Sequence, residues 1–416
     1  MSVAEYDILI VGGGMVGASL AAALSQVADT SLRITVVESS PFDSSAQPSF
    51  DARTVALSDS SKVIFQTLGL WDEMLALGVM PIKRIHVSDR GHLGSTHLDA
   101  HQQGVAALGY VVETRVMGKV LTRYINKSKN IDLICPATLE QFESTAESAT
   151  VSISREGRLE SLQAKLVVAA DGGESQLRKL AGIKTLDMNY GQMALIANVS
   201  CDRPHQHIAY ERFTDSGPMA LLPSCDPDGS EQSYALVWTE KPEQAEKIAA
   251  LDEQAFLLRL QQRFGGRAGK FIKAGSRCVY PLKFQQARES VRPRLAIIGN
   301  AAHSLHPVSG QGFNLGLRDA AVLAQVIVDA QRKREDPGKL DNLQDYARWR
   351  RRDQWQTALS TDSLVRIFSN RFPPLALVRN IGLLALDILP PLKKRLARHA
   401  MGYIGKQPRL SRGLPL

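Results

Sequence analysis

Three glycines near the start of the chain stand in a pattern that few folds accommodate. Gly12, Gly14 and Gly17 form GxGxxG after the apolar run 6–11 and before the Ala-rich stretch 18–27. The run predicts a strand and the stretch a helix. The first glycine then permits the tight turn, the second lets the backbone approach a pyrophosphate, and the third lets the helix pack on the strand. The phosphates lie at the positive end of the helix dipole. The pattern predicts an α/β fold that binds a dinucleotide.

Other apolar runs extend this nucleotide-binding unit. Residues 33–38 predict a second strand that ends at Glu38, where a carboxylate can accept hydrogen bonds from a ribose. The runs 166–170 and 295–298 are each followed by a small-residue turn and then a helical pattern. We therefore expect three turns at the carboxyl edge of one parallel sheet, where open α/β folds bind their ligands.

The segments between these turns have a different character. Residues 193–199 and 233–238 are examples of alternating or β-branched runs without comparable glycine turns, and they predict an antiparallel sheet. The predicted organisation has three parts. These are a discontinuous Rossmann-like nucleotide-binding domain over 1–81, 113–185 and 283–340, an inserted antiparallel β-sheet domain for substrate over 82–112 and 186–282, and a helical C-terminal region over 341–416.

The positive charge of the chain is concentrated in that C-terminal region. The net charge is +8, whereas residues 331–416 alone hold 18 basic and 7 acidic side chains. On a helical wheel the residues 375–389 are apolar except on one side, and a basic cluster over 393–398 follows them. This combination is typical of a helix lying on an anionic membrane surface. A helix packed on its own domain or a subunit interface remains an open alternative.

Several other classes of function are not indicated. The basic tract 348–352 contains Trp349, but it continues a helical pattern beside Asp353. We interpret it as a charged helix face with one buried Trp rather than a nucleic-acid site. His303 and His306 have no acidic or Cys partner near them in sequence, so no metal site is predicted. No secretion signal or membrane-spanning segment is predicted either.

The three turns together resemble the fingerprints of a known enzyme group. The second turn, 171–178, and the third, 299–303 with the later stretch 310–314, are similar to motifs of the aromatic-hydroxylase group of FAD-dependent monooxygenases. The segment 50–58 resembles the ubiquinone-biosynthesis hydroxylases. Among these, the chain is most similar to the 2-polyprenyl-6-methoxyphenol hydroxylases.

This resemblance implies FAD as the cofactor, NADPH or NADH as the co-substrate, and a polyprenyl phenol and O2 as substrates. The chemistry it implies is hydroxylation through a flavin C4a-hydroperoxide, with no obligatory catalytic triad. Pro307 is the candidate beside the flavin ring. A tyrosine such as Tyr190, Tyr210 or Tyr280, or a histidine, could assist the phenol. The candidate cofactor contacts are Gly12, Gly14, Gly17, Glu38, Arg53, Arg115, Asp171, Gly172, Asn300, Gly310, Gly312 and Asn314.

One of these candidates departs from the family pattern. The family usually has Asp at the position of Asn300, although an amide can still hydrogen-bond a ribityl hydroxyl. Two alternatives therefore stay open: a sister hydroxylase acting at another position of the same ring, and a flavin-binding structural subunit of a biosynthetic complex. A prenyl-chain reductase is disfavoured by the segment 50–58. We expect a cytoplasmic protein in peripheral contact with the inner membrane, with ubiquinone-biosynthesis proteins as partners in a complex.

Overall fold

The structure is a computed structural model of the 416-residue chain. It describes residues 4–27, 29, 32–41, 53–92, 94–226, 228–305, 310–368, 382 and 389–416. All structural statements below concern these residues.

Strands make up much of the described chain. In chain order they are β1 Ala4–Val11, β2 Ile34–Val37, β3 Thr54–Ser58, β4 Val79–Ile82, β5 Arg84–Asp89, β6 Ser95–Asp99, β7 Gly109–Glu113, β8 Ile131–Ile134, β9 Thr138–Ser144, β10 Ala149–Arg155, β11 Arg158–Ala169, β12 Thr185–Cys201, β13 Ile208–Thr214, β14 Gly217–Pro223, β15 Ser233–Glu240, β16 Phe271–Ala287, β17 Val291–Arg292, β18 Leu295–Ile297 and β19 His303–Ser304.

The α-helices connect and cover these strands. They are α1 Met15–Ser25, α2 Asp59–Thr67, α3 Trp71–Gly78, α4 Thr114–Lys127, α5 Gln176–Leu180, α6 Pro242–Ala249, α7 Glu253–Phe264, α8 Gln311–Arg332, α9 Leu340–Phe368 and α10 Pro390–Ala400.

The first sheet is the nucleotide-binding sheet that the glycine pattern predicts. Its strand order is β17, β18, β11, β1, β2, β8, and β10 and β9 continue antiparallel from the first half of β11. The strands β18, β11, β1, β2 and β8 run parallel to one another. Each of β1, β11 and β18 is followed by one of the three predicted turns. The expectation that the turns meet at one carboxyl edge is therefore confirmed.

The core of this sheet has two sides. On one side its apolar residues pack with α1, α4 and α8, and on the other they pack with β9 and β10. The central strand β1 contributes Ile8 and Ile10 to the first side and Leu9 and Val11 to the second, all nearly inaccessible to solvent. This burial on both faces explains why β1 is a continuous apolar run.

The second sheet is built mainly from the central part of the chain. Its order is β19, β16, β12, β15, β14, β13, β5, β6, and the pairs are antiparallel except for β13 with β5. One face packs against α7 through a core that includes Leu195, Trp238, Phe256 and Phe264. The runs 193–199 and 233–238 lie in β12 and β15, which pair antiparallel as expected.

A third sheet has three strands in the order β3, β7, β4. Along the chain, its strands fall between strands of the first sheet and strands of the second. Strand β7 occupies the end of the segment 82–112 that we expected in the inserted sheet, but it pairs with β3 and β4 instead. Its apolar residues explain this difference: Val112 joins the core of the first sheet, whereas Val111 packs with Met80 and Ala209.

The C-terminal region contributes helices, as expected. Helix α9 packs on α8, and Ala397 of α10 and Met401, which follows this helix, pack against Leu98 of β6. No helix in the described part of the chain is both long enough and apolar enough to cross a membrane. The predicted amphipathic stretch 375–389 falls outside the described residues, apart from residues 382 and 389.

Candidate functional site

The first turn leaves no room for side chains at two of its glycines. Gly12 has a φ of +102°, and a Cβ there would lie 2.5 Å from the carbonyl oxygen of Ala170. A Cβ on Gly17 would lie 2.0 Å from the carbonyl oxygen of Gly12. Gly14, in extended conformation, precedes the first residue of α1 and offers no side-chain cap. The turn therefore presents bare backbone at the positive end of a helix.

Glu38 closes the opposite side of this turn. Its Oε2 accepts a hydrogen bond from the Gly13 N–H at 2.7 Å, and its Oε1 accepts one from the Ser40 N–H at 2.8 Å. The residue is 8% exposed. Oε1 also accepts from the Ser39 hydroxyl at 3.3 Å, so Oε2 is the oxygen that retains lone-pair capacity for a further donor, such as a ribose hydroxyl.

The second turn contains a buried carboxylate oxygen without a partner. Oδ2 of Asp171 accepts a hydrogen bond from the Leu177 N–H at 3.1 Å, whereas Oδ1 is buried and has no hydrogen bond. Burial raises the pKa of Asp171. The next residue, Gly172, has a φ of +84° and open space where a Cβ would stand. An unpartnered acceptor beside open space fits a bound group that donates a hydrogen bond.

Arg178 links the second turn to the third. Its guanidinium donates to the carbonyl oxygen of Gly173 at 2.8 Å and to that of Ala301 at 2.7 Å. The side chain is buried. One residue therefore fixes the separation of the two turns.

The third turn is a short 3₁₀ segment, Gly299–Ala301, packed against two helices. A Cβ on Gly299 would lie 3.2 Å from the Val16 side chain of α1, and a Cβ on Gly316 of α8 would lie 3.0 Å from the Gly299 Cα. Asn300 is exposed on this turn. Its side chain is thus available to a bound group.

A network of buried charges supports the third turn from behind. Asp319 of α8 accepts hydrogen bonds from His303 at 2.6 Å and from the Arg350 Nε at 2.6 Å. Arg350 also pairs with Asp353, which in turn accepts two hydrogen bonds from Arg318 at 3.0 and 2.8 Å. All five side chains are buried.

This network corrects two interpretations of the sequence. His303 does have an acidic partner, Asp319, which lies 16 residues away along the chain. In the tract 348–352 the buried residue is Arg350, whereas Trp349 is half-buried and stacks with Lys406. Among the described residues, no group of three or more His, Cys, Asp or Glu side chains could hold a metal ion.

The start of α8 is held by Asn314. Its Oδ1 accepts hydrogen bonds from the Ser58 N–H at 2.8 Å and the Ser61 hydroxyl at 2.7 Å. Its Nδ2 donates to the carbonyl oxygens of Ala56 and Gly310, each at 2.8 Å. The hydrogen-bonding capacity of the buried side chain is therefore used within the protein.

The two other predicted contacts of this helix are glycines. Gly310 adopts a left-handed conformation with a φ of +59°, and a Cβ there would lie 3.0 Å from the Ala56 Cβ. At Gly312, no atom of the described residues lies within 4 Å of a Cβ position. The first turn of α8 thus has free space beside its backbone.

The two predicted arginines differ in their surroundings. The Arg53 guanidinium carbon lies 5.4 Å from the centre of the Tyr280 ring, in cation–π contact with the second sheet. Arg115 is exposed at the start of α4 and pairs with Glu113. Pro307, His306 and residues 50–52 of the predicted segment lie outside the described residues.

The face of the second sheet that carries Tyr280 is partly open and has apolar residues at its centre. Tyr280 of β16 lies opposite Ala194 of β12. Two residues further along β12, Ile196 lies opposite Val237 of β15, and Val237 lies opposite Ala220 of β14. Residues directly opposite in a sheet share a face. Ile196, Val237 and Ala220 are half-buried on this face, opposite the core formed with α7.

Sequence reasoning missed Arg178, Asp319 and Arg350 as supports of the site. Arg178 lies inside the second motif, and this position could have indicated a role in the site. Its link to the third turn could not be predicted, because its two acceptors belong to different turns. Asp319 and Arg350 have no local signal that predicts burial. A charged residue in a helix is usually solvent-exposed, and it is buried only where partners of opposite charge or hydrogen-bonding groups surround it.

Comparison with known proteins identifies the family. Residues 5–359 match the family described as FAD binding domain. Ubiquinone hydroxylase UbiL of Rhodospirillum rubrum is 38% identical over 413 residues, which cover 99% of this chain and 93% of that protein. The chain belongs to the ubiquinone-biosynthesis FAD-dependent hydroxylases. The 3-demethoxyubiquinol 3-hydroxylase of Escherichia coli is also similar, with 31% identity over 95% of this chain and 98% of that protein.

The solved structures agree at the level of the fold. The p-nitrophenol 4-monooxygenase PnpA of Pseudomonas putida has a TM-score of 0.77 and 19% identity, and the match covers 96% of this chain and 99% of that one. The predictions of an α/β fold, of the family and of an FAD-dependent monooxygenase are therefore confirmed.

Proposed function

We propose that this hydroxylase adds a hydroxyl group to the ring of a polyprenyl methoxyphenol, para to the phenolic oxygen, using NADPH or NADH and O2. One oxygen atom enters the ring, the other leaves as water, and the nicotinamide supplies the two electrons. FAD, when bound, supplies the transfer of electrons from the nicotinamide to O2 and of oxygen to the ring. The protein supplies binding, orientation and exclusion of water.

The described residues fit FAD at four points. The first turn is bare backbone where Gly12 and Gly17 admit no Cβ, which suits a pyrophosphate. Glu38 has capacity for ribose hydroxyls, and the unpartnered Oδ1 of Asp171 is suited to accept a hydrogen bond from the cofactor. Asn300 is exposed and suited to a ribityl hydroxyl.

Three of the predicted cofactor contacts, Asn314, Gly312 and Arg115, have different roles in this proposal. Asn314 acts through position, because its side chain already makes four hydrogen bonds, two to β3, one to Ser61 of α2 and one to Gly310. The open backbone beside Gly312 then faces the cofactor, where the helix dipole stabilises negative charge on a reduced ring. Arg115 is exposed and paired with Glu113, so its contact with the cofactor requires that pair to open.

The observation that carries the substrate proposal is the half-buried apolar face around Ile196 and Val237. It lies on the same side of the second sheet as Tyr280, against which Arg53 stacks. Binding there would bury apolar surface of the phenol and its chain, at about 25 cal/mol per Å². The inserted sheet would thus be the substrate domain.

We also propose peripheral contact with the inner membrane from the cytoplasmic side. At the start of α10, Leu389 and Leu392 are 47% and 43% exposed, and Lys394, Arg395 and Arg398 are exposed after them. Apolar side chains followed by cations suit an anionic lipid surface. A membrane-resident phenol would reach the site from there, directly or through partners in a biosynthetic complex.

The decisive experiment is the lipid extract of a strain lacking this gene. Accumulation of the polyprenyl methoxyphenol that still lacks the para hydroxyl is the expected result. Accumulation of a later intermediate would assign the chain to another ring position, the activity that the name of the Escherichia coli relative describes.

A second experiment separates the enzyme from a structural subunit. Purified protein with FAD should consume NADPH or NADH faster when an accessible phenol is added. No stimulation by any phenol, with normal assembly of partners, would favour the structural role. For the membrane contact, cell fractions before and after salt and carbonate washes are compared, and protein found wholly in the unwashed soluble fraction would contradict it.

A further inference from the structure

The carboxylate of Asp319 is surrounded by four donors, two on each oxygen. Oδ2 accepts from the Gly299 N–H at 3.1 Å and from the His303 Nε2 at 2.6 Å. Oδ1 accepts from the Arg350 Nε at 2.6 Å and from the Gln354 Nε2 at 3.1 Å. The residue is fully buried. Only an ionised carboxylate satisfies all four donors at once.

These four donors belong to two different parts of the protein. Gly299 and His303 belong to the third turn and the short strand that follows it, whereas Arg350 and Gln354 belong to α9. Asp319 therefore joins the turn that carries Asn300 to the C-terminal helical region. The turn has no other described side chain that accepts from the Gly299 N–H.

The electrostatics keep this carboxylate charged. Burial alone would raise the pKa of Asp319, but His303 and Arg350 more than offset that effect and hold the pKa well below its usual range. Asp353 accepts from the remaining side of Arg350, and Arg318 neutralises Asp353 in turn. A charge inside the fold is thus balanced by helices α8 and α9 rather than by water.

We propose that Asp319 is a positioning residue for FAD, which fixes the third turn in the conformation that holds the cofactor, with Arg350 of α9 anchoring it. This inference deepens the role of FAD in the proposed function and rests on it. The turn also lies close to α1 and α8, because a Cβ on Gly299 would lie 3.2 Å from the Val16 side chain and a Cβ on Gly316 would lie 3.0 Å from the Gly299 Cα. A loosened turn would present Asn300 at the wrong place.

The test compares apoprotein variants in FAD binding. Asp319→Asn turns an amide N–H₂ toward two of the four donors, and His303→Leu removes the imidazole donor to Oδ2 while leaving Asp319 and Arg350 paired. Each should raise the Kd for FAD about tenfold or more, measured by fluorescence titration of the apoprotein. The induced circular dichroism of the bound flavin should change as well, which a loss of overall stability would not produce.

Two matched Asp→Asn changes serve as controls. Asp353 lies in the same network but makes no hydrogen bond to the third turn, and Asp336 pairs with Arg294 elsewhere. Asp353→Asn should lower the Tm of the apoprotein yet change the Kd for FAD by less than about threefold. Asp336→Asn should change the Kd for FAD by no more than Asp353→Asn does.

Two results would overturn the proposal. One is wild-type FAD affinity and flavin dichroism in His303→Leu, the variant expected to fold even if Asp319→Asn does not. The other is a loss of FAD affinity in Asp353→Asn as large as in Asp319→Asn. The buried charges would then affect FAD binding only through the stability of the fold. Either result leaves the proposed hydroxylation standing, because that is judged by the lipid that accumulates.

Discussion

Arg178 donates to the carbonyl oxygens of Gly173 and Ala301, and so holds two turns at a fixed separation although they lie more than a hundred residues apart in the chain. In the nucleotide-binding sheet these turns follow the adjacent strands β11 and β18. The geometry of the proposed cofactor site therefore depends on a side chain that has no need to touch the cofactor.

The first prediction concerns this arginine. Arg178→Met keeps an unbranched chain but leaves the buried carbonyl oxygen of Ala301 and the partly buried one of Gly173 without their charged donor, at a cost of about 2 to 3 kcal/mol. We expect a lower Tm and a lower FAD content in the purified protein, measured by thermal unfolding and flavin absorbance. The neighbouring Lys179→Met removes an exposed pair with Glu174 and should change neither by much. Equal effects of the two changes would contradict the prediction.

A second prediction concerns the first turn. Gly17→Ala introduces a Cβ 2.0 Å from the carbonyl oxygen of Gly12, so that either α1 or the turn must move. We expect protein that is purified largely without FAD and has a lower Tm. Gly266→Ala is the matched control, since no atom lies within 4 Å of its Cβ position. Wild-type FAD content in Gly17→Ala would show that the turn is not the pyrophosphate site.

A third prediction tests the departure from the family pattern at the third turn. Asn300→Asp places a carboxylate on an exposed position, where a charge-assisted hydrogen bond to a ribityl hydroxyl is stronger than one to an amide. We expect FAD to be retained better, with a several-fold lower Kd. Weaker binding in this variant would mean that the position contacts an anionic part of the cofactor.

A fourth prediction concerns stability at low pH. Burial, with contributions from His97 and Arg267, lowers the pKa of His86 to about 4. In the unfolded chain it is about 6.5. Between these values the unfolded state binds the extra proton, so stability is full above about pH 6.5 and falls as the pH drops toward 4.

Replacing His86 should therefore flatten this dependence. We expect His86→Gln to reduce the slope of the unfolding free energy between pH 4 and 6.5, measured by denaturation at a series of pH values. The exposed His101→Gln provides the comparison and should leave the slope unchanged. An unchanged slope in His86→Gln would contradict the assignment.

Much of the nucleotide-binding sheet could be predicted because its signals are local. A strand buried on both faces needs a continuous apolar run, and a turn that excludes Cβ atoms needs glycine, as at Gly12 and Gly17. The position of Glu38 could be predicted as well, because it ends the apolar run of the second strand and therefore lies at the carboxyl edge of the sheet. Its hydrogen bond to Gly13 confirms that it lies at the turn.

The remaining features depend on contacts between distant segments. Nothing near Arg350 in sequence distinguishes it from the exposed Arg351 and Arg352; its partner Asp319 lies 31 residues earlier. Strand β7 looked like part of the inserted sheet because its β-branched residues suit a strand of either sheet, and its partners β3 and β4 decide the outcome. Whether Pro307 lies beside the flavin ring, and how residues 375–389 contact their surroundings, stay predictions.

The parallel pairing of β5 with β13 has a consequence for the order of synthesis. Arg84 pairs with Ile208, so the hairpin of β5 and β6 leaves the ribosome long before its partner strand exists. At about 5 to 20 residues per second, the wait is of the order of ten seconds. During that time the nascent chain presents an unpaired strand edge, which is a site for misassociation until β13 arrives. Slower translation of the intervening segment would lengthen this exposure and make the protein more dependent on chaperones.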